Sequence, residues 1–198
     1  MITHIDVTSV LQRTVCDLYS NLVTRPTGAA VRTEIELQLR EIGRPTLTVI
    51  DFSKVGLLDF SCADEIVAKL LMSYCERSGG NAVPSQESPA GYFLFRGLND
   101  AHLDAIEVVL EHHGLALVAQ TDDDAAELIG AVDDAERRVW TALADLGPAV
   151  PLDVSVMAGI DESDAARQLD SLHRRRLVMQ LGSHYAAIDP ALVRPAAP

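Results

Sequence analysis

One short segment of the chain carries several side chains that could bind or exchange protons or phosphoryl groups. Asp59, Ser61 and Asp64 lie two and three residues apart, at the predicted start of a helix. Ser61 could cap that helix, because its hydroxyl would accept from the amide of Asp64 while the carboxylate of Asp64 reaches back. It could also accept a phosphoryl group, which the helix N-terminus would stabilise and the carboxylates of Asp59, Asp64 and Glu65 would oppose. The segment therefore predicts either a helix cap or a phosphorylation switch.

A second candidate site precedes this segment. Arg25 and Arg32 flank a predicted helix start at Thr27, where free backbone amides and basic side chains could bind an anion such as phosphate. The alternative is that both arginines are simply solvated, because no glycine-rich phosphate-binding motif is present.

The third candidate site is a basic region near the C-terminus. Its members lie on one predicted helix or directly after it, and they are Arg167, Gln168, Ser171, Arg174, Arg175 and Arg176. They could contact duplex DNA or a protein partner, or the arginines could offset the helix dipole. The same helix starts with Asp161, Glu162 and Asp164, whose carboxylates would face phosphates. A protein contact therefore competes with a DNA contact.

Catalytic and metal-binding motifs do not appear in the sequence. We find no nucleophile–base–orienter pattern, Walker loop, HExxH motif or dinucleotide fingerprint, so we expect a protein that is not an enzyme and has no cofactor and no metal. The three cysteines lack CxxC spacing, which is typical of reduced thiols.

The composition narrows the class of protein. The 198 residues are 48% hydrophobic and have a formal net charge of −13, which disfavours non-specific attraction to nucleic acid. The N-terminus lacks the pattern of a secretion signal, and no apolar run is long enough to span a membrane. We therefore expect a cytoplasmic protein with one or two domains and no membrane partner.

The elements that must position these residues follow an α/β pattern. Residues 2–8 suggest a strand, in competition with a helix over 9–23; a helix with Pro26 near its start and Gly43 past its end comes next. Thr46–Phe52 reads as a strand covered on both faces, and the helix after it places an apolar stripe from Ala63 to Tyr74 on one side. Residues 78–91 read as a surface loop.

Further along, strands at 92–96 and 115–119 flank a helix that Asn99 caps and Gly114 ends. Another helix is predicted to start at 121–124, where acidic residues would complement its dipole. Alternating strands and helices predict a mostly parallel sheet, and we divide the chain after Gly130. Residues 131–190 suggest three helices and a small hairpin, the order of a winged helix, and 191–198 a flexible tail.

The opening segment also resembles a known family. Asp51-Phe52-Ser53 at a strand end, followed by Asp59-Phe60-Ser61-Cys62 at a helix start, resembles the STAS fold of anti-sigma-factor antagonists, and is closest to a divergent STAS-like branch of unassigned function. In the antagonists the serine at the position of Ser61 is phosphorylated by a partner kinase. The part after residue 131 resembles winged-helix regulators of the MarR or ArsR type.

The resemblance implies a regulatory protein. We expect a STAS-like domain over 1–130 that binds a protein partner, such as a kinase or another regulator, coupled to a winged helix over 131–190. The alternative is a sequence-specific DNA-binding transcription regulator that uses the winged helix, and a homodimer is compatible with either.

Overall fold

The computed structural model describes residues 2–15, 20–42, 46–74, 91–121 and 125–190. Strands and helices alternate through the first two thirds of this range. The strands are β1 (Ile2–Asp6), β2 (Thr46–Asp51), β3 (Gly91–Arg96), β4 (Ala116–Gln120), β5 (Ala126–Gly130), β6 (Val178–Leu181) and β7 (His184–Ala187). The helices are α1 (Val7–Thr14), α2 (Arg25–Ile42), α3 (Phe60–Ala63), α4 (Lys69–Tyr74), α5 (Asp100–His113), α6 (Asp134–Leu146), α7 (Pro151–Ala158) and α8 (Glu162–Arg174), with a π-helical turn, Asp64–Ala68, between α3 and α4.

The first five strands form one sheet whose spatial order is the order of the chain. β1 to β4 are parallel, and β5 is antiparallel to β4, so the predicted mostly parallel α/β sheet is confirmed. Because crossovers between parallel strands are almost always right-handed, strands added in one direction leave the connecting helices on one face. The buried side chains of α1 to α5 indeed share a single cluster with Ile50, Phe52 and Phe95 of the sheet segments.

The other face of the sheet is covered by the C-terminal part of the chain. Leu47, Val49 and Leu94 of β2 and β3 pack in a second cluster with Val139 and Trp140 of α6. β2 is thus buried on both sides, as its consecutive apolar residues predict. The predicted division after Gly130 falls in the connection between β5 and α6, and residues from both sides of it share this second cluster.

Residues 131–190 contain three helices followed by an antiparallel hairpin, as predicted. Ala149, between α6 and α7, adds an antiparallel bridge to Tyr185 of β7. The backbone amide of Ala149 donates to the carbonyl of Tyr185 at 2.9 Å, and the amide of Tyr185 donates to the carbonyl of Ala149 at 2.8 Å. The hairpin is therefore attached to the helices by backbone contacts.

Two sequence predictions of secondary structure are corrected. The helix predicted to start at 121–124 is wrong: residues 122–124 lie outside the described range, and Ala126–Gly130 is strand β5. A short connection lets this segment fold back antiparallel on β4, and that pairing overrides the helix signal of the acidic residues. At the N-terminus, strand and helix are both present, but α1 ends at Thr14 rather than Val23.

Several other predicted helix boundaries are confirmed, and two predicted segments fall on residues that the structure does not describe. α2 starts at Arg25, Asn99 caps α5, and Gly114 ends α5 with a left-handed backbone. The stripe from Ala63 to Tyr74 is buried as predicted. Most of the predicted loop at 78–91 and all of the predicted tail fall outside the described residues, and no helix of the described chain is long and apolar enough to cross a membrane.

Candidate functional site

The residue that caps α3 is Asp59, which corrects the prediction that Ser61 does so. Asp59 has an extended backbone, and its carboxylate accepts a hydrogen bond from the Cys62 amide at 2.8 Å. Ser61 is already the second residue of α3, whereas a cap is the residue just before the helix and has a non-helical backbone. Its hydroxyl donates to Asp59 Oδ1 at 2.9 Å instead. Ser61 therefore supports the capping carboxylate and remains half-buried.

Asp64 is held by bases from two other helices and does not reach back to Ser61. Arg25 Nη1 of α2 lies 2.6 Å from Asp64 Oδ2, and His113 Nε2 at the end of α5 lies 2.8 Å from Asp64 Oδ1. Burial alone would raise the pKa of Asp64, but the hydrogen bonds from Arg25 and His113 lower it below its ordinary value. Asp64, predicted to complete the capping box with Ser61, is thus an ion-pair partner of Arg25 instead.

Glu65 is the most deeply buried carboxylate of this segment, with only 3% of its surface exposed. Arg25 Nη1 donates to Glu65 Oε1 at 2.8 Å, Arg32 Nη2 lies 3.5 Å from Oε2, and Lys69 forms a short contact with Oε1. Burial opposes ionisation of Glu65, but the hydrogen bonds from Lys69 and Arg25 outweigh it and lower the pKa. We call Asp64, Glu65 and these bases the buried ion-pair cluster.

This cluster changes the meaning of the predicted anion site. Arg25 and Arg32 already bind carboxylates of the protein itself, and Arg32 also lies 2.9 Å from Glu36. The hydroxyl of Thr27 lies 2.9 Å from that of Thr24. The two arginines therefore do bind anionic groups, but these groups are the carboxylates of Asp64 and Glu65 and not a phosphate ligand.

A close helix contact brings the cluster together. A Cβ added to Gly28 of α2 would lie 3.0 Å from Cys62 Cα and 3.1 Å from Glu65 Cβ, so a larger residue would push the two helices apart by a few tenths of an ångström. Arg25 and Arg32 flank Gly28 on the same helix, and both reach Glu65 at the start of the π-helical turn. Sequence reasoning missed this arrangement because the apolar pattern of the helix predicts only which side packs against the core, and Asp64 and Glu65 lie outside that stripe. Two arginines seven residues apart were a signal, but the partner helix could not be known.

Exposed apolar side chains lie on the chain segments that adjoin Ser61, either in sequence or through the backbone pairing at Leu22. Leu57 and Phe60 are 55% and 47% exposed, and Val23 is similarly exposed. They are held by a short parallel pairing in which the Leu22 amide donates to Leu57 O at 2.7 Å and the Asp59 amide donates to Leu22 O at 2.8 Å. We call Val23, Leu57, Phe60 and Ser61 the helix-start surface. Its apolar side chains are displayed by a fixed backbone.

The titratable groups next to this surface, on Cys62 and Asp59, are poorly suited to catalysis. Burial and the nearby carboxylate of Asp59 raise the pKa of the Cys62 thiol to about 11, so it is protonated at neutral pH and a weak nucleophile. For Asp59 itself, burial opposes ionisation, but hydrogen bonds from Cys62 and Ser61 lower the pKa. The carboxylate is thus a hydrogen-bond acceptor at neutral pH, and a poor base.

The strand ends next to this surface are occupied by ion pairs. Arg96 at the end of β3 donates to Asp51 Oδ2 at the end of β2, at 2.9 and 2.6 Å, and Lys54 binds Asp6 at 2.9 Å. Ligand crevices in α/β sheets form where the strand order reverses. Among the described strands the order does not reverse, so they form no such crevice at their carboxyl edge. No group of three metal-ligating side chains occurs among the residues the structure describes.

The predicted basic site near the C-terminus is divided by the fold. Arg175 lies 2.5 Å from Glu136 Oε2 of α6, and the hydroxyl of Ser171 donates to Glu136 Oε1 at 2.8 Å. Arg167 lies 2.7 Å from Asp164 on its own helix and is exposed, as is Arg174, while Gln168 is half-buried. The predicted cluster is thus not one surface.

Arg176 has turned towards the sheet. Its guanidinium lies over the ring of Tyr92, 5.6 Å from the ring centre, and its Nε donates to Tyr74 O at 3.4 Å. Its φ of 61° is the left-handed conformation that follows a helix, where glycine is usual. A non-glycine residue there is strained by about 1–2 kcal/mol, so the contacts to Tyr92 and Tyr74 must offset that strain.

Comparisons with known proteins name no family. The chain matches no protein-family model and no curated protein. Its function therefore has to be inferred from its own residues and geometry.

Proposed function

We propose that this protein is a non-enzymatic cytoplasmic regulator in which a STAS-like α/β unit, residues 2–130, binds a protein partner and is coupled to a winged helix, residues 131–190. One observation carries the proposal: a half-buried serine hydroxyl, hydrogen-bonded to the capping Asp59, lies at a helix start whose adjoining residues Leu57 and Phe60 are exposed and apolar. Exposed aromatic and aliphatic side chains on fixed backbone are typical of protein interfaces. The partner would cover Phe60 and Leu57 around Ser61.

A phosphoryl group on Ser61 would act as an expelling switch at this surface. The Ser61 hydroxyl lies 2.9 Å from Asp59 Oδ1 and 3.2 Å from Asp59 Oδ2. A dianion attached there would face this carboxylate and add charge to an apolar contact, and both effects disfavour partner binding. A kinase that modifies Ser61 would thus release the partner.

The non-enzymatic part of the proposal is supported by the state of the titratable groups. Asp64 and Glu65 are committed to Arg25, Arg32, Lys69 and His113, and the thiol of Cys62 is protonated at neutral pH. A general base or nucleophile needs a free, suitably poised group within reach of a substrate. These side chains instead stabilise the fold.

The winged-helix part is supported by the order of elements. Three helices precede a hairpin, and Ala149 between the first two pairs with the hairpin strand β7. Coupling to the α/β unit is supported by the shared second cluster and by Arg176 on Tyr92. Movement of one unit would disturb the packing of the other.

DNA binding is the second candidate function, and the exposed Arg167 and Arg174 of α8 favour it. The start of the same helix is acidic at Glu162 and Asp164, and Arg175 is committed to Glu136. Because a recognition helix reads bases with its N-terminal residues, these carboxylates would meet phosphates. A protein partner is therefore the better-supported proposal.

The partner can be sought by affinity capture with the purified chain. We expect wild-type protein to retain a partner that the Phe60→Asp variant loses, because a carboxylate at that position would enter an apolar contact. The matched control is Val108→Asp on α5, which introduces the same charge at a similarly exposed valine and should retain the partner. Equal capture by the wild type and Phe60→Asp would contradict the proposal.

The DNA candidate needs a separate measurement. Binding to duplex DNA that weakens with salt and is lost in a variant carrying Arg167→Ala and Arg174→Ala would establish it over partner binding. We expect no such loss. Mass spectrometry after incubation with a cell extract and ATP would test the switch, through an added phosphate that Ser61→Ala lacks.

A further inference from the structure

Helix α7 has an apolar face that no other described element covers. Leu152, Val156 and Met157 are 52%, 76% and 53% exposed, while Val154 and Ser155 on the opposite side are buried. The helix carries one charged residue, Asp153. Single exposed apolar residues are common on protein surfaces, but three large ones on eight residues mark an interaction site.

A groove adjoins this face between α6 and α7. It has a volume of about 380 Å³, and Ala142, Ala158 and Met157 line it. Its charged members are two acids and two bases, namely Asp134, Asp145, Arg137 and Arg138. The helix therefore offers protruding apolar side chains and, beside them, a recess lined by both apolar and charged side chains.

The charge of the region points to its occupant. The chain as a whole has a net charge of −13, so two copies repel over most of their surface. The four charges of the groove cancel, and Asp153 leaves the region at about −1. A second, equally acidic copy can approach here with least repulsion, and the exposed Arg138 of one copy can meet the acids of the other.

We propose that α7 and the adjoining groove form a two-fold symmetric interface between two copies of this chain. In such an interface the same patch lies on both subunits, so the side chain of Val156 from each copy enters the groove of the other. The residues involved are separate from the helix-start surface. The dimer therefore does not depend on the proposed partner at Ser61.

Sedimentation equilibrium of the full chain tests the interface. We expect wild-type protein to pass from monomer to dimer over concentrations of about 1 µM to about 1 mM. Val156→Asp should weaken the dimer at least about tenfold, because it buries a charge at the centre of the interface. Val108→Asp, with the same change at a similarly exposed site on α5, should dimerise as the wild type does.

A charge-reversal pair tests the geometry. Arg138→Glu should weaken the dimer, and adding Asp145→Arg should restore part of the loss. Circular dichroism and thermal unfolding of each variant would show that the fold is intact, which the exposure of these positions leads us to expect. A wild type that stays monomeric throughout, or a Val156→Asp variant that dimerises normally, would overturn the proposal. So would a monomer whose Val156 is needed to retain a different protein.

Discussion

The helix-start surface and the buried ion-pair cluster are neighbours in sequence but opposite in character. Asp59 and Ser61 lie at the surface among exposed apolar side chains, whereas Asp64 and Glu65 are enclosed by bases from three helical elements. These four residues are all acidic or hydroxylic, and they lie within seven positions of one another. The difference lies in what the rest of the fold brings to them.

This contrast separates a binding role from a stabilising role. Carboxylates that have gained several bases are costly to disturb, because loss of one partner leaves buried charge uncompensated. Side chains that face solvent can be changed at little cost to folding, and so remain free to bind a partner. We expect stability to depend on the cluster and partner binding on the surface.

The largest expected effect comes from Glu65. Glu65→Ala should lower the free energy of unfolding by about 2–3 kcal/mol, below the full value for a buried pair because Arg25 and Lys69 are partly exposed. Urea denaturation would measure it, with Glu107→Ala on the exposed side of α5 as the control. A loss no greater than that of the control would remove the distinction between the two regions.

Acid should act on the same cluster. The pKa values of Asp64 and Glu65 lie below their ordinary values of 3.8 and 4.5, so their stabilisation is present above those values and is lost as the pH falls through the lowered ones. Denaturation between about pH 5 and pH 2 should show falling stability. Glu65→Gln should flatten that slope, and an unchanged slope would assign the acid sensitivity to other carboxyls.

A smaller effect is expected at the helix cap. Asp59→Ala removes the acceptor for the Cys62 amide and should cost about 1 kcal/mol of stability. Asp104→Ala, at an exposed position within α5, controls for the loss of one negative charge. If the two variants unfold at the same urea concentration, Asp59 does not stabilise α3.

The smallest effect on stability is expected at Ser61. Ser61→Ala loses the hydroxyl contact to Asp59 but gains helix propensity, so the free energy of unfolding should change by less than about 0.5 kcal/mol. The same urea titration measures it. A loss as large as that of Asp59→Ala would mean that Ser61 contributes to the cap as much as Asp59 does.

Several parts of the fold were predictable because they depend on local patterns. The apolar run of β2, the stripe from Ala63 to Tyr74, and the Asn99 and Gly114 ends of α5 follow from periodicity and capping chemistry. β5 was not predictable in this way. The acidic residues 122–124 that precede β5 are typical of a helix start, and β5 is a strand because it pairs with β4.

The candidate site divides in the same manner. The sequence identified the segment around Ser61 but assigned the cap to the wrong residue, because Ser and Asp are both good caps and the backbone chooses between them. It indicated Arg25 and Arg32 as possible anion ligands but could not show that the anions are the carboxylates of Asp64 and Glu65. It also predicted one basic cluster of Arg174, Arg175 and Arg176. In the fold, Arg174 is exposed to solvent, Arg175 pairs with Glu136, and Arg176 lies over the ring of Tyr92.

The order of most elements and the chemistry at their ends could be read from the sequence, because these depend on residues within a few positions of one another. The burial and pairing of Asp64 and Glu65, the packing of the C-terminal helices on the second face of the sheet, and the apolar face of α7 that no other described element covers all follow from the three-dimensional fold. These features depend on which distant segments meet. The sequence pattern shows which side of a helix or strand is apolar, but it does not show which distant element packs against that side.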